Sequence, residues 1–154
     1  MSVTIRPIEK KDKEVWLHLW AGPGGYLEFY KSKLPEAVSN NTFERFFDES
    51  EPVWCGVAVD DKTGKVIGFA TYLSHRTTWA IEDYVYLNDL FVSADCRLHG
   101  VGRKLIEYVY AEADKLGACR VYWHTQFENH RAQMLYTKVG FKSGFLTYQR
   151  PNSK

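Results

Sequence analysis

The feature that most constrains the fold is a pair of glycines, Gly100 and Gly102, between an apolar segment and an amphipathic one. The apolar segment, Tyr84 to Val92, is rich in β-branched and aromatic residues, which is typical of a strand. The segment from Val101 to Leu116 carries apolar residues at helical spacing. Glycines at a strand-to-helix junction let several backbone N–H groups converge on one anion. We therefore expect either a phosphate-binding loop or a plain tight turn.

Two well-known glycine loops do not match this junction. The dinucleotide fingerprint G-x-G-x-x-G requires a third glycine where this chain has Leu105, and a Walker loop requires Ser or Thr after Gly-Lys where this chain reads GRKL. Arg97, Arg103 and Lys104 flank the glycines and would add positive charge for a phosphate. The loop therefore differs from both common nucleotide-binding loops.

The rest of the chain predicts strands and helices in a layered order. Apolar periodicity, caps and turn residues predict these segments: a strand at 3–7, a helix after Asp12 that ends near Gly22, a region of uncertain structure at 26–34, a Thr-capped helical turn at 42–49, a hairpin of strands at 53–60 and 66–74, a strand at 120–124, a helix from Asn129 to Gly140, and a strand or hairpin at 141–150. This order predicts one mixed α/β domain over residues 1–154 with right-handed crossovers.

Composition argues against several kinds of partner. The chain has 20 Lys and Arg against 19 Asp and Glu, a formal net charge of +1, so we expect no nucleic acid partner. The N-terminal MSVTIRPIEKKDKE lacks the apolar core of a signal peptide, and no stretch approaches the roughly 20 apolar residues of a membrane span. We expect a soluble protein of the cytoplasm or nucleus that binds no membrane.

Cysteines and histidines give no sign of a metal site. Cys55, Cys96 and Cys119 are odd in number and lack C-x-x-C spacing, which indicates neither a disulfide framework nor a zinc site. His18 and His124 have no partner at metal-ligand spacing, so packing or solvent exposure is their expected role. We expect no bound metal.

Two motifs in sequence order resemble those of the GCN5-related N-acetyltransferases, the GNAT superfamily. Arg97, Gly100 and Gly102 match the loop R/Q-x-x-G-x-G/A, and NHRAQMLYTKVGF at 129–141 is similar to the segment N-x-x-A-x-x-x-Y-x-x-x-G-F. Within the superfamily, TTWAIEDYVYLNDLFV resembles the polyamine and thialysine acetyltransferases. The segments NDLFV, EADKLG, VYW and NHRAQMLY resemble the small fungal histone and polyamine acetyltransferases most. The resemblance covers nearly the whole chain.

The resemblance implies a fold and an activity. The fold would be a central twisted mixed sheet of six to seven strands, with a splayed V between the fourth and fifth, flanked by about four helices. The activity would be acetyl transfer from acetyl-CoA to a primary amine, directly in a ternary complex and without a metal. A polyamine or diamine leads as acceptor, with an amino acid or a histone lysine as alternatives. A non-catalytic acyl-CoA-binding sensor is the alternative of another class.

The resemblance also implies which residues bind the cofactor. Backbone N–H groups at Leu90, Phe91 and Val92 would stabilise the oxyanion. Asn129 would bond to the pantetheine amide, Ala132 would allow close approach, and Lys138 would reach the phosphate end of CoA. The diphosphate would lie on the glycine loop: Arg97, Leu98, His99, Gly100, Val101, Gly102 and Arg103.

Asn88 and Asp89 are poor strand formers near the middle of a predicted strand. A β-bulge near them would separate this strand from the one at 120–124 and open the V for pantetheine. Strand alternation puts the two side chains on opposite faces unless that bulge intervenes, so only one can face the substrate.

Acetyl transfer needs a neutral amine, yet a lysine-like amine with a pKa of about 10.4 is almost fully protonated at pH 7. Related polyamine enzymes carry Glu where this chain has Asn88, which cannot act as a base. This leaves Asp89, Glu82 or Asp83, or a water chain that ends at one of them, as candidates for the base. Tyr136 matches the tyrosine that protonates the departing thiolate in many relatives.

The acceptor site would combine aromatic and acidic residues suited to an alkylammonium chain. Core aromatics with surface acids are the plain alternative. The candidates are Tyr26, Glu28, Phe29, Tyr30, Trp79, Glu82, Asp83 and Asn88. The segment AGPGGY at 21–26 would be a lid or a simple connection. Relatives are often dimers, and residues from Phe145 to Tyr148 would supply an edge for a homodimer.

Overall fold

The computed structural model describes residues 1–97 and 99–151, and these form a mixed α/β structure of the predicted class. The described elements alternate much as the sequence predicts, with short helices before the hairpin. Their bounds are β1 Val3–Pro7, α1 Lys13–Ala21, α2 Tyr26–Phe29, α3 Glu36–Arg45, β2 Val53–Asp60, β3 Val66–His75, β4 Tyr84–Val92, α4 Val101–Lys115, β5 Arg120–Tyr122 and α5 His130–Val139.

The strands form one sheet in the order β1-β2-β3-β4-β5. The first four strands pair antiparallel, and β2 with β3 forms the predicted hairpin. The last pair, β4 with β5, is parallel and short: it runs from Tyr84 opposite Arg120 to Tyr86 opposite Tyr122. The remainder of β4, from Leu87 to Val92, has no strand partner on this side within the described residues.

A β-bulge interrupts β4 where the sequence predicts one. In the register with β3, Asp89 lies opposite Thr71 and Leu87 lies opposite Tyr72, so Asn88 is the extra residue. A bulge of this kind returns the residue after it to the face that strict alternation would deny it. Asp89 therefore lies on the same face as its partner Thr71, where it is buried, while Asn88 is exposed.

Helices cover both faces of the sheet. One face packs against α1, α2 and α3 through an aromatic core, in which Trp16 stacks on Trp20 with ring centroids 5.4 Å apart and Phe69 lies below both. The other face packs against α4, whose apolar stripe is fully buried at Leu105, Ile106 and Val109. Each such side chain contributes about 1.5–3 kcal/mol through burial.

Two helix starts differ from the prediction. The helix expected to begin at Thr42 begins earlier, at Glu36, because Pro35 at its N-cap supplies the fixed φ that a helix start accepts. Asp12 does precede α1, but its carboxylate caps no N–H of that helix. Instead it accepts hydrogen bonds from Arg6 and from the backbone N–H of Glu9.

The chain divides into two compact units, Met1–His124 and Thr125–Lys154. The strand expected at 141–150 is not formed, so the described sheet has five strands rather than six to seven. A strand needs a hydrogen-bonded neighbour, and Gly144, with φ of 86°, leaves the extended conformation. Apolar side chains in this segment, among them Phe141 and Phe145, are exposed. No described helix has the length and apolarity needed to cross a membrane.

Candidate functional site

The loop before α4 has the geometry of an anion cradle. Gly100 is the N-cap of α4 with φ of 75°, the left-handed region that favours glycine. Apart from its own chain neighbours and helix, no described atom would lie within 4 Å of a methyl group on Gly100. The first N–H groups of a helix have no acceptor within it, and they carry the positive end of the helix dipole. The loop residues therefore fit a diphosphate.

The basic residues of this loop have different roles. Arg97 donates from Nε to the carbonyl oxygen of Val92 at 3.0 Å and lies 5.7 Å from the ring centroid of Phe91, which ties the loop to the end of β4. Arg103 pairs with Glu107 at 2.8 Å on the exposed side of α4. His99 is exposed, and Leu98 lies outside the described residues.

The open edge of β4 supplies backbone hydrogen-bonding groups. Beyond Tyr86, every second N–H and C=O of an unpaired strand edge faces away from the sheet. Leu90, Phe91 and Val92 lie in this part of the strand, and the Phe91 side chain is buried in the core. This edge leads into the loop that ends at Gly100.

Asp89 is the buried acid of the bulge, with 8% of its surface exposed. Asn88 donates from Nδ2 to Asp89 Oδ1 at 3.0 Å. Burial raises the pKa of the Asp89 carboxyl, and hydrogen bonds from Asn88 and Tyr26 oppose this rise without cancelling it. Within the described residues, no Lys, Arg or His forms an ion pair with Asp89. The site therefore holds a carboxylate without a cation.

The charge of Asp89 acts on three tyrosines. Burial, and then the charge of Asp89, raise the pKa of Tyr26, Tyr30 and Tyr86. The rings of Tyr26 and Tyr30 lie 5.0 Å apart, so α2 and its C-cap residue contribute two phenols to the same cluster. We call Tyr26, Tyr30, Tyr86, Asn88 and Asp89 the acidic cluster. An acid with an aromatic wall suits an ammonium group.

Residues that sequence reasoning missed extend the acidic cluster along the sheet. Tyr86 bonds from its hydroxyl to His124 Nδ1 at 3.1 Å, and His75 Nε2 bonds to the Tyr122 hydroxyl at 2.7 Å. His124 is exposed to solvent, as expected, but its bond to Tyr86 was not predicted. The signal that was available is alternation, because Tyr122 and His124 are two residues apart beside the strand that carries Tyr86.

The predicted substrate residues between β3 and β4 are not part of the acidic cluster. Trp79 and Glu82 are exposed, and Asp83 pairs with Arg76 at 3.2 Å. Glu82 precedes β4, and at about 3.3 Å per residue its backbone lies on the order of 20 Å along the strand from Asp89. The two alternative bases therefore do not share one site, and a catalytic role for Glu82 stays a prediction.

Glu28 and the glycine-rich segment have local structural roles. Glu28 accepts a hydrogen bond at Oε2 from the backbone N–H of Gly24 at 2.8 Å. Gly25 donates to the carbonyl oxygen of Gly22 at 3.0 Å, so the segment forms a hydrogen-bonded turn between α1 and α2. Tyr26 and Tyr30 follow this turn, and it sets their position. The segment is thus a connection in this structure.

The second unit carries the other motif on α5. Asn129 caps the helix as predicted, accepting at Oδ1 from the backbone N–H of Ala132 at 3.2 Å. Steps of three and four residues place Asn129, Ala132 and Tyr136 along one side of a helix. Lys138 lies in the last turn of α5 and is exposed.

No group of three metal-ligating side chains that could hold an ion occurs among the described residues. A cavity of about 220 Å³ lies elsewhere, against α4, β2 and β3. Asp89 does not line it; its lining includes Trp54, Tyr72, Tyr108 and Glu112. The acidic cluster and this cavity are therefore separate places in the unit.

Comparison with known proteins identifies relatives over most of the chain. The model of the acetyltransferase (GNAT) family matches residues 14–141. The D-amino-acid N-acetyltransferase HPA3 of Saccharomyces cerevisiae is 48% identical over 148 residues, which cover 96% of this chain and 90% of that protein. The named activity of this relative is neither polyamine nor histone acetylation, so the predicted closeness to those enzymes stays a prediction.

Solved structures share the fold. A probable acetyltransferase has a TM-score of 0.82 at 22% identity, with 100% of this chain and 99% of that chain covered. AAC(6')-Iy in complex with the bisubstrate analogue CoA-S-monomethyl-acetylneamine has a TM-score of 0.78 at 22% identity, with 99% and 100% covered. At 22% sequence identity, these structures show that the fold is shared.

Proposed function

The chain belongs to the GNAT family of acetyltransferases, and from that premise we propose that it transfers an acetyl group from acetyl-CoA to the primary amine of a small molecule. The observation that carries the proposal is the buried, unpaired carboxylate of Asp89 at the bulge. An ammonium group would supply the missing opposite charge. The transfer would be direct, because both substrates would meet at the open edge of β4.

Asp89 would be the base that removes a proton from the ammonium group of the acceptor. A carboxyl whose pKa is raised by burial holds a proton more readily than an ordinary aspartate, so it is a better base toward an ammonium group. The amide of Asn88 donates to Oδ1 and fixes the orientation of that carboxylate. Asn88 thus would support a base one residue further along the strand than the Glu of related polyamine enzymes.

The donor would bind on the glycine loop and the strand edge. Acetyl-CoA supplies an activated thioester and a diphosphate, and the N–H groups in the first turn of α4, which have no acceptor within the helix, would bind that diphosphate. The unpaired edge at Leu90, Phe91 and Val92 would bind the pantetheine arm and the carbonyl oxygen. On α5, Tyr136 would protonate the thiolate that leaves.

For the acceptor, we favour a free amino acid, of D configuration. The support is the relative that shares 48% identity over 96% of this chain and is named for D-amino acids. A polyamine or diamine is the second candidate, since the acidic cluster offers a carboxylate and three phenols to an alkylammonium chain. A lysine of a protein tail is a third acceptor with the same primary amine.

An acceptor panel tests this proposal. Release of free CoA from acetyl-CoA would be measured with the D and L forms of several amino acids, with spermidine, putrescine and thialysine, and with a histone-tail peptide. The D and L pairs are matched controls because they share amine pKa and hydropathy. We expect faster release with the D forms. Faster release with polyamines would select the second candidate, and no stimulated release would indicate an acyl-CoA-binding sensor.

Replacement of Tyr136 by Phe tests the proposed acid on α5. We expect the variant to bind acetyl-CoA with unchanged affinity and to lose more than about tenfold in turnover, as for a lost general acid. Calorimetric binding and steady-state rates would measure the two effects. Equal turnover in Tyr136→Phe would remove the phenol from the mechanism.

We also propose a homodimer that covers the apolar side chains of the C-terminal segment. Phe141, Phe145 and Tyr148 are all exposed in the single chain, and adjacent exposed aromatics usually mark a contact surface. Sedimentation of the wild type and of Phe145→Asp would test it. We expect a dimer that the substitution dissociates, and a wild-type monomer would contradict the proposal.

A further inference from the structure

The cavity against α4 lies on the face of the sheet opposite the acidic cluster. Trp54 on β2 and Tyr72 on β3 are register partners, and both line the cavity. Tyr72 follows Thr71 on β3, and Thr71 pairs with Asp89. Because successive side chains of a strand alternate between the two faces, Tyr72 and Asp89 lie on opposite sides of the sheet. A ligand of this cavity would therefore not occupy the acidic cluster.

Aromatic rings form much of the cavity wall. The rings of Trp54 and Tyr72 stack with their centroids 5.6 Å apart and an angle of 23° between their planes. Tyr108 from α4 lies against the backbone of β2 at Gly56, where a Cβ atom would be only 2.5 Å from Tyr108 Cε1. The volume of about 220 Å³ exceeds the roughly 150 Å³ of an apolar cavity that binds benzene. The cavity thus has room for one aromatic ring with a short chain.

The cavity also contains a carboxylate. Among the described residues that line it, the charged ones are Glu112 and Lys115. The Glu112 side chain is 19% exposed, whereas Lys115, whose Nζ lies 3.2 Å from Glu112 Oε2, is 75% exposed. Burial raises the pKa of the Tyr72 and Tyr108 phenols, and the charge of Glu112 adds to the rise, so both phenols are neutral at pH 7. Glu112 is therefore the anion of the cavity.

Glu112 can bind a second cation in addition to, or in place of, Lys115. An ion pair between residues three positions apart on a helix surface contributes little, because solvent screens it. A carboxylate has about four acceptor positions, and Lys115 contacts one oxygen. A cation inside the cavity would meet this carboxylate beside the faces of aromatic rings, which attract cations, and Trp attracts them most strongly. The lining thus combines an anion with an aromatic wall.

We propose that this cavity binds a small amine cation that carries an aromatic ring, an arylalkylammonium. The ring would pack against Trp54 and Tyr72, and the ammonium group would bond to Glu112 in competition with Lys115. An aliphatic amine lacks the ring that fills the apolar part of the cavity, and a neutral aromatic alcohol lacks the charge. This site is separate from the acetyl-transfer site and does not depend on the proposed reaction.

A titration with 2-phenylethylammonium, without acetyl-CoA, tests the site through the indole N–H signals in NMR spectra. Trp54 reports on the cavity, and Trp20, which stacks on Tyr26 at 5.2 Å, reports on the acidic cluster. The variant Trp54→Phe identifies the Trp54 signal. We expect this signal to shift with a Kd on the order of 1 mM, as for a ligand of this size. Butylammonium, which lacks the ring, and 2-phenylethanol, which lacks the charge, should bind at least about fivefold more weakly.

Substitutions on α4 test the role of the carboxylate. Glu112→Gln keeps the shape of the side chain and removes its charge, so binding should weaken about tenfold. Asp114→Asn is the matched control, because Asp114 is an exposed acid of the same helix that does not line the cavity, and its Kd should stay within about twofold of wild type. Lys115→Ala removes the competing cation, so binding should become about two- to fivefold tighter. A variant with a damaged fold would not bind more tightly.

A saturable shift of the Trp54 signal that weakens in Glu112→Gln and tightens in Lys115→Ala would support the proposal. A titration that moves no Trp54 signal, or moves the Trp20 signal alone, would overturn it. Equal affinities for 2-phenylethylammonium and 2-phenylethanol, or for wild type and Glu112→Gln, would also overturn it, because binding would then not use the carboxylate. Unchanged or weaker binding by Lys115→Ala would contradict the competition between the ligand and that lysine.

Discussion

Two aspartates are buried in the same unit, and they differ in what surrounds them. Asp12, 4% exposed, accepts two hydrogen bonds from Arg6, at 2.8 and 3.0 Å, and one from the backbone N–H of Glu9. Asp89, 8% exposed, interacts with an amide and a phenol and forms no ion pair within the described residues. Burial acts to raise the pKa of both carboxyls, but at Asp12 the bonds from Arg6 and Glu9 outweigh burial and lower it.

The difference separates a structural acid from a functional one. A buried carboxylate held by a two-pronged guanidinium is satisfied within the fold, and it anchors the start of α1 to β1. A buried carboxylate without a cation lowers the stability of the folded chain, because burial disfavours the charged form. Such a group marks a functional site when a ligand can supply the missing charge.

The largest expected effect is the loss of catalytic rate in Asp89→Asn. In Asp89→Asn the side chain keeps its shape and can still bond to its neighbours, but it cannot accept the amine proton. We expect kcat/KM for acetylation to fall at least about 100-fold. The melting temperature should stay the same or rise, because a buried charge is removed. Steady-state rates and thermal unfolding measure the two quantities.

Asp12→Asn is the control for that variant, since it makes the same chemical change at the other buried aspartate. Its rate per folded molecule should stay within about twofold of wild type. If Asp12→Asn lost activity as Asp89→Asn does, the division between structural and functional acids would be wrong.

The next effect is on stability, at Asp12. The substitution Asp12→Asn leaves the half-buried Arg6 guanidinium with only its weaker partner, the exposed Glu9 carboxylate at 3.3 Å. We expect the free energy of unfolding to fall by about 2–4 kcal/mol, somewhat below the loss for a fully buried pair. Urea unfolding measures it. In a double-mutant cycle with Arg6→Met, the double variant should lose much less unfolding free energy than the sum of the two single variants. If the two single losses added up, Asp12 and Arg6 would not interact directly.

The two carboxyls should also give stability opposite pH dependences. The pKa of Asp12 is lowered by folding, so its contribution is present above the unfolded value, about 3.9, and is lost as pH falls through the folded value. The pKa of Asp89 is raised, so the folded chain keeps a proton that the unfolded chain has lost, and stability decreases as pH rises through that window.

Urea unfolding from pH 3 to 8 measures these slopes. Relative to wild type, Asp12→Asn should lose its disadvantage at low pH, while Asp89→Asn should gain stability above about pH 4. Parallel curves for the two variants would mean that the carboxyls have similar surroundings after all.

The smallest expected effect is the loss of rate in Asn88→Ala. In Asn88→Ala the Asp89 carboxylate loses the amide that donates to it, so its pKa should rise further. We expect a rate loss of about three- to tenfold, which is the size of one ordinary hydrogen bond. Initial rates measure it. A loss as large as that of Asp89→Asn would transfer the central role to Asn88.

Local chemistry made part of this structure predictable. The hairpin, the bulge at Asn88, the cap at Asn129 and the loop at Gly100 each depend on residues close in sequence, and all four are observed. Their turn, strand and cap preferences need no knowledge of distant neighbours.

The remainder depends on long-range pairing. Asp12 has the sequence pattern of a helix cap, and only the fold shows that its carboxylate accepts hydrogen bonds from Arg6 on β1. The bond between Tyr86 and His124 joins residues 38 positions apart. Glu82 is near Asp89 in sequence, yet the strand carries it away, because an extended chain separates residues that a loop would keep together.

The most direct test is a carbon-detected NMR titration of the Asp89 carboxyl, with and without the acceptor amine. We predict that the pKa of Asp89 lies above the ordinary aspartate value of about 3.9 in the free protein and decreases when the ammonium binds. A pKa at or below the ordinary value, or one that the acceptor leaves unchanged, would contradict the claim that this unpaired carboxylate receives the amine.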